Sequence, residues 1–130
     1  ADYALESLKE KDFVFVHVEA PDEAGHNGDL RAKITAIENF DRLVVGTVLK
    51  HFKKTKKDFR ILVTSDHATP VSVRTHTRDP IFFALYGKGV PRDETEAFNE
   101  VAALKGSIKL KEGHQIIERF FASDPRKFKE

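Results

Sequence analysis

The sequence contains no cysteine and no methionine. The absence of cysteine excludes disulfides, thiolate zinc sites and a cysteine nucleophile, and it fits a reducing compartment. Apolar runs are also short: none approaches the roughly 18 residues that a membrane-spanning helix needs, and the N-terminus has no apolar signal-peptide core. We therefore expect a cytoplasmic protein that has no membrane partner.

The chain has little net charge, with 22 Lys and Arg against 21 Asp and Glu, a formal charge of +1. Such a balance gives no field that would recruit nucleic acid. The most basic stretch, residues 50–60, has only Phe52 and Phe59 as aromatics. A solvated helix end explains this stretch better than a nucleic-acid patch, so we expect no nucleic-acid partner.

The 130 residues are enough for a single unit with its own core. Because the first residue is Ala1 rather than methionine, either processing has removed the initiator or the chain is a piece of a longer protein.

Three apolar runs predict strands, at Asp12–Glu19, Arg60–Ser65 and Ile81–Tyr86. The first run is almost continuously apolar, which is typical of a strand covered on both faces. A helical pattern from about Leu30 to Phe52, with Asp29 as its N-cap, separates the first two strands. Strands joined through a helix form a crossover, so we expect parallel pairing.

Shorter helices are predicted around Tyr3–Lys9, Asp93–Lys105 and Gly113–Ala122. The predicted fold class is therefore α/β, with a mostly parallel sheet flanked by helices. In sheets of this kind ligands gather at the carboxyl ends of the strands.

Oxygen and imidazole side chains follow the predicted strands in the segments PDEAGH, TSDHATP and RTHTRDP. On a helical turn, the four-residue spacing of the first segment places its carboxylate and imidazole on one face. Mixed carboxylate and imidazole ligands suit manganese, zinc or iron better than magnesium. The candidate metal ligands are Asp22, His26, Asp66, His67 and His76.

Each segment also has a simpler interpretation. The pair Asp22 and His26 is compatible with a capped loop and a surface histidine, Asp66 with a turn, and His76 with an exposed loop. The metal site is favoured because all three segments follow strands or lie in the long irregular loop between two of them.

Four further side chains are candidates for supporting roles. Arg74 and Arg78 bracket His76, and a guanidinium suits contact with a phosphate or carboxylate of a substrate; the alternative is a solvated side chain or a pair with Asp79. His17 and Glu19 alternate near the end of the first predicted strand, where they either orient metal ligands or make ordinary buried hydrogen bonds.

The segments DFVFVHVEAPDEAGHNGD, AIENFD, ILVTSDHATPVSVRTHTRDPI and ALYG resemble the archaeal-type branch of cofactor-independent phosphoglycerate mutase, in the alkaline phosphatase superfamily. The resemblance implies two divalent ions, manganese-type, with zinc, magnesium or iron as alternatives. It implies that Asp22, His26 and His76 hold one ion, and that Asp66 and His67 hold part of the second.

The same resemblance implies that the longer protein is an isomerase of glycolysis and gluconeogenesis. This enzyme would interconvert 2-phosphoglycerate and 3-phosphoglycerate through a phosphoserine intermediate. The family's nucleophilic serine lies upstream of the matched segments, so no serine of this chain is assigned as catalytic. We expect the C-terminal portion of a phosphatase-like domain, inactive without its N-terminal part. The alternatives are another phosphomutase or phosphoesterase of the superfamily, or a non-catalytic module that binds a divalent metal.

Overall fold

Residues 1–125 are described by the computed structural model. Their contacts divide the chain into two units. Unit 1 combines Ala1–Lys57 with His67–Arg78, and unit 2 combines Asp58–Asp66 with the described residues from Asp79 onward. No helix of the described chain is long and apolar enough to cross a membrane.

Unit 1 is helical. Its helices are α1 (Asp2–Ser7), α2 (Ala20–His26), α3 (Leu30–Asn39) and α4 (Gly46–Thr55), and a π-helical turn, Phe40–Val45, joins the last two. The Asp29 carboxylate accepts a hydrogen bond from the Ala32 N–H at 2.9 Å, which confirms the predicted N-cap. The predicted long helix is present but continues to Thr55, where Lys56 adopts a left-handed conformation with φ of 53°. The π-helical turn was not predicted.

Residues 12–19 form no strand, contrary to the prediction. A strand requires a hydrogen-bonded neighbour, and within residues 1–125 the only paired strands lie elsewhere. Large apolar residues of this segment are accordingly exposed to solvent: the exposed fraction is 77% for Phe15 and 40% for Val16.

Unit 2 contains β1 (Arg60–Thr64) and β2 (Phe83–Gly87), followed by α5 (Glu100–Ala103) and α6 (Gln115–Phe121). Both strands were predicted from apolar runs of the sequence, and the structure confirms them. They pair antiparallel, with Leu62 opposite Leu85, so the described sheet is not the mostly parallel one that was predicted. Parallel strands need a crossover, usually a helix. Residues 65–82 contain only turns and an isolated bridge, so the chain simply reverses.

The helix predicted over Asp93–Lys105 is reduced to α5, because the Asp93 side chain is committed elsewhere. Its carboxylate accepts hydrogen bonds from the backbone N–H groups of Thr95 at 2.9 Å and Ser107 at 2.8 Å. An aspartate that bonds nearby backbone competes with helix formation. The Ser107 and Thr95 N–H groups lower the pKa of Asp93 to about 2.

The guanidinium of Arg60, at the start of β1, gathers backbone carbonyls from the end of unit 2. It donates to Phe120 O at 2.8 Å, to Ala122 O and to Ser123 O at 3.3 Å, and also to Lys88 O at 2.6 Å. A cation there satisfies carbonyls that the last turn of α6 leaves without helical partners.

Candidate metal centre

Helix α2 carries the first two candidate ligands. Its first turn begins after Glu19, whose carbonyl accepts from the Asp22 N–H at 2.8 Å, and Pro21 occupies a first-turn position where no N–H is required. Asp22 and His26 lie one turn apart on the same face, with Asp22 Oδ2 at 3.3 Å from His26 Nε2.

The loop from His67 to Arg78 brings two more imidazoles to this helix. The loop is closed by an antiparallel bridge between Ala68 and Thr77, in which the Thr77 N–H donates to Ala68 O at 3.0 Å. The rings of His67 and His76 therefore lie against each other, with centroids 3.6 Å apart.

Three ligand atoms converge, one each from Asp22, His26 and His76, and all lie within 4.8 Å of one another. His76 Nε2 is 3.5 Å from Asp22 Oδ1 and 3.1 Å from His26 Nε2. His67 lies beside them, with Nδ1 at 4.0 Å from Asp22 Oδ1. We call Asp22, His26 and His76 the ligand triad.

The tautomer of His26 follows from its hydrogen bond. Its Nδ1 is 3.1 Å from the carbonyl oxygen of Arg74, which can only accept, so the proton lies on Nδ1. In the neutral ring Nε2 then carries a lone pair, and that lone pair faces the Asp22 carboxylate and His76 Nε2. Acceptors that face one another require a proton or a metal cation between them, so the donor chemistry of the triad fits a divalent ion.

Backbone conformation aims the Arg74 carbonyl. Arg74 has a φ of 60°, the left-handed region that non-glycine residues seldom adopt. Its guanidinium packs directly on Gly28, so a Cβ at that position would force the Arg74 side chain to shift. Gly28 itself has a φ of 67°, which favours glycine.

The pKa of Asp22 is lowered, chiefly because the Thr69 hydroxyl donates to its carboxylate. The neighbouring imidazoles of His26, His76 and His67 act in the same direction, whereas partial burial opposes it. An ionised carboxylate is the form that binds a metal ion.

The other predicted residues lie as follows. Asp66 follows β1 and belongs to unit 2, next in sequence to His67. Arg78 is exposed at the end of the unit 1 loop. His17 and Glu19 are largely exposed and face each other, with His17 Nδ1 at 3.9 Å from Glu19 Oε1, rather than being buried.

Sequence reasoning missed Thr69. It is 4% exposed and its hydroxyl touches both Asp22 and His67. A single threonine gives no periodic pattern from which its role could be predicted. The one available signal was that Thr69 comes two residues after the candidate ligand His67.

Residues 1–113 match the family model described as the Metalloenzyme superfamily. The chain belongs to the Metalloenzyme superfamily. This membership agrees with the convergent carboxylate and imidazole donors of the triad, since such a set of side chains suits a divalent metal.

Curated relatives carry a more specific description. The chain is 49% identical over 118 residues to a 2,3-bisphosphoglycerate-independent phosphoglycerate mutase of Methanosarcina barkeri, covering 90% of this chain and 30% of the relative. It is 46% identical over 116 residues to 2,3-bisphosphoglycerate-independent phosphoglycerate mutase 2 of Methanothermobacter thermautotrophicus, covering 89% and 28%. The chain thus spans about 30% of the length of the curated relatives it matches.

A solved structure is also similar, that of the PH0037 protein from Pyrococcus horikoshii. The TM-score is 0.82 at 34% identity, and the match covers 99% of this chain and 38% of that one. The fold of the chain therefore recurs inside a longer protein.

Proposed function

We propose that this chain is the metal-binding part of a cofactor-independent phosphoglycerate mutase. In this role it works with a further part of a longer protein to interconvert 2-phosphoglycerate and 3-phosphoglycerate, a reaction of glycolysis and gluconeogenesis in the cytoplasm. The observation that carries the proposal is the convergence of the ligand triad, Asp22, His26 and His76. The names of relatives about half identical to this chain support it.

In this proposal the ligand triad holds one divalent ion, and Asp66 and His67 contribute to a second. The ions are manganese, with zinc, iron or magnesium as alternatives for the same donors. Bound divalent ions polarise phosphoryl oxygens and neutralise charge on a leaving oxygen.

The chain's own side chains prepare the site. The Arg74 carbonyl keeps the His26 proton on Nδ1, so that Nε2 faces the other two ligands. The guanidinium groups of Arg74 and Arg78 are proposed to contact the phosphate or carboxylate of the substrate, for which their planar donors are suited. The pair His17 and Glu19, which lies just before α2, is proposed to help orient the metal ligands.

The nucleophile of this proposal is a serine outside the chain, in a segment that would precede it in the longer protein. The chain would be the C-terminal portion of that phosphatase-like domain. The 130-residue chain alone is therefore expected to bind metal without mutase turnover.

Calorimetric titration of the chain with Mn²⁺ tests the metal site. His26→Ala and His76→Ala should each weaken binding at least about tenfold, because each removes a ligand. His114→Ala is the matched control, since His114 lies in unit 2 just before α6, and its affinity should equal that of the wild type. Equal affinities in all the variants, or no binding by the wild type, would contradict the site.

Adding a separately expressed N-terminal part of a relative tests the reaction. Turnover of 2-phosphoglycerate that appears only with both parts, and disappears in His76→Ala, supports the mutase. Turnover of other phosphate esters instead would favour another phosphomutase or phosphoesterase of the superfamily. Metal binding with no restored turnover would favour a non-catalytic module.

A further inference from the structure

Thr69 is a buried polar residue of unit 1. Only 4% of it is exposed, and it lies in the loop that carries His67 and His76, where it packs against Gly25 of helix α2. A buried hydroxyl without partners is costly, so the direction of its hydrogen bonds is informative.

The Thr69 hydroxyl makes two contacts with candidate ligands. Its Oγ1 lies 2.5 Å from Asp22 Oδ1 and 3.1 Å from His67 Nδ1. The Asp22 carboxylate is ionised and can only accept, so the single hydroxyl hydrogen points to Asp22. Towards His67 the hydroxyl oxygen must then accept, which requires a proton on Nδ1 of His67. The neutral imidazole consequently carries its lone pair on Nε2.

Contacts from two helices hold the backbone and the methyl group of Thr69. The Lys33 ammonium donates to Thr69 O at 2.6 Å. Gly25 of α2 packs flush against the same residue, since a Cβ there would lie 2.5 Å from Thr69 O and 2.9 Å from its methyl carbon. Helices α2 and α3 therefore contact the carbonyl oxygen of Thr69, and α2 also contacts its methyl group.

We propose that Thr69 is a positioning residue, whose one hydroxyl orients the Asp22 carboxylate and sets the His67 tautomer before any metal arrives. This rests on the proposed metal-binding function, although Thr69 itself is not a ligand. Groups that hydrogen-bond to metal ligands fix ring orientation and tautomer, and their loss typically weakens metal binding about 10–100-fold.

The proposal is tested on the 130-residue chain with two variants. Thr69→Val keeps the branched shape and removes the hydroxyl, whereas Thr69→Ser keeps the hydroxyl. We expect Mn²⁺ affinity to fall about tenfold in Thr69→Val and to stay within about twofold of the wild type in Thr69→Ser. Equal losses in both variants, or none in Thr69→Val, would overturn the proposal.

A second measurement needs no metal. Long-range ¹H–¹⁵N spectra of the metal-free chain at mildly alkaline pH report which nitrogen of each histidine carries the proton. We expect His67 protonated on Nδ1 in the wild type and in Thr69→Ser, and a shift towards the other tautomer in Thr69→Val.

The two measurements separate failure of the inference from failure of the proposed function. If the wild-type chain binds no Mn²⁺ but shows the expected His67 tautomers, the proposed metal site is wrong. The assignment of the Thr69 hydrogen bonds would still hold. A wild-type His67 protonated on Nε2 would overturn the role of Thr69 even if Mn²⁺ binds, and it does so without relying on a variant that folds.

Discussion

Gly25 shows how one missing side chain shapes the candidate site. Within an ordinary helix, Gly→Ala is stabilising, by up to about 1 kcal/mol. At Gly25 the sign should reverse, because a Cβ would lie 2.5 Å from the Thr69 carbonyl oxygen. We expect Gly25→Ala to lower the free energy of unfolding by about 1–3 kcal/mol in urea denaturation.

Gly113→Ala provides the control for this change, since a Cβ at Gly113 meets nothing within 4 Å. It should alter the free energy of unfolding by no more than about 0.5 kcal/mol. A Gly25→Ala variant as stable as wild type would mean that α2 and the loop do not pack as closely as described.

Asp93 should make the stability of unit 2 depend on acid pH. Its folded-state pKa of about 2 lies below the ordinary value of 3.8, because the Ser107 and Thr95 N–H groups favour the carboxylate. A depressed pKa stabilises the fold above the unfolded value, and this contribution is lost as pH falls from about 4 to about 2.

The comparison of wild type with Asp93→Asn in urea measures this contribution. Allowing for solvent screening, we expect a gap of about 1 kcal/mol at neutral pH that narrows as the pH approaches about 2. Asp12→Asn, at an exposed position, should leave unfolding nearly unchanged. A gap that stays constant with pH would show that ionised Asp93 is not the stabilising form.

At the residue scale, the ligand triad was accessible from the sequence and Thr69 was not. Asp22 and His26 are four residues apart, so any helical turn places them on one face. The burial of Thr69 depends instead on contact between α2 and a loop more than 40 residues later. No local pattern records such a contact.

Among the elements, α6 depends on a side chain that lies about 60 residues earlier. Removing the Arg60 guanidinium in Arg60→Met leaves several carbonyls at the end of α6 without their donor. Hydrogen bonds from charged donors typically contribute about 1.5–3 kcal/mol, so we expect a loss of about 2 kcal/mol in urea denaturation. Amides in the last turn of α6 should also exchange faster with deuterium.

Arg42→Met is the matched control, because Arg42 makes one exposed hydrogen bond, to Asn39 Oδ1 at 2.8 Å. It should cost no more than about 0.5 kcal/mol. Arg60→Lys should recover only part of the loss, since an ammonium lacks the planar fork. Full recovery by lysine would show that charge alone, without fork geometry, holds α6.

The existence of elements was easier to predict than their pairing. Apolar runs correctly indicated β1 and β2, because side-chain burial is recorded locally. Their direction depended on the connection over residues 65–82, where the chain reverses without a helix. The run at residues 12–19 has the composition of a strand, but a strand also needs a hydrogen-bonded partner strand. Composition alone does not show whether such a partner is present.

At the scale of the whole molecule, a bound divalent ion should raise stability. A ligand that binds only the folded state, at about 100 times its dissociation constant, adds about 2.7 kcal/mol. We therefore expect Mn²⁺ to raise the thermal midpoint of the chain, EDTA to reverse the effect and His76→Ala to reduce the rise by about half or more. The same upward shift in His76→Ala would indicate binding outside the ligand triad.

This chain is much shorter than the curated relatives that it matches. It spans about 30% of curated relatives, yet its fold matches a solved structure with a TM-score of 0.82. Sequence resemblance predicted this family because the metal-ligand motifs are compact. It could not predict the exposure of Phe15, since the packing of that side chain depends on which other segments are present.

The π-helical turn between α3 and α4 has a geometric consequence of its own. Each residue of an α-helix advances the side-chain direction by about 100°, and a π turn accommodates one extra residue in its wider ring. Deleting one residue within Phe40–Val45 would let the helix run on as a regular spiral. Leu49 and Phe52 would then keep nearly the same direction round the axis, because the wider ring had already absorbed the extra residue, whereas the same deletion inside α3 would turn every later side chain of the helix by about 100°.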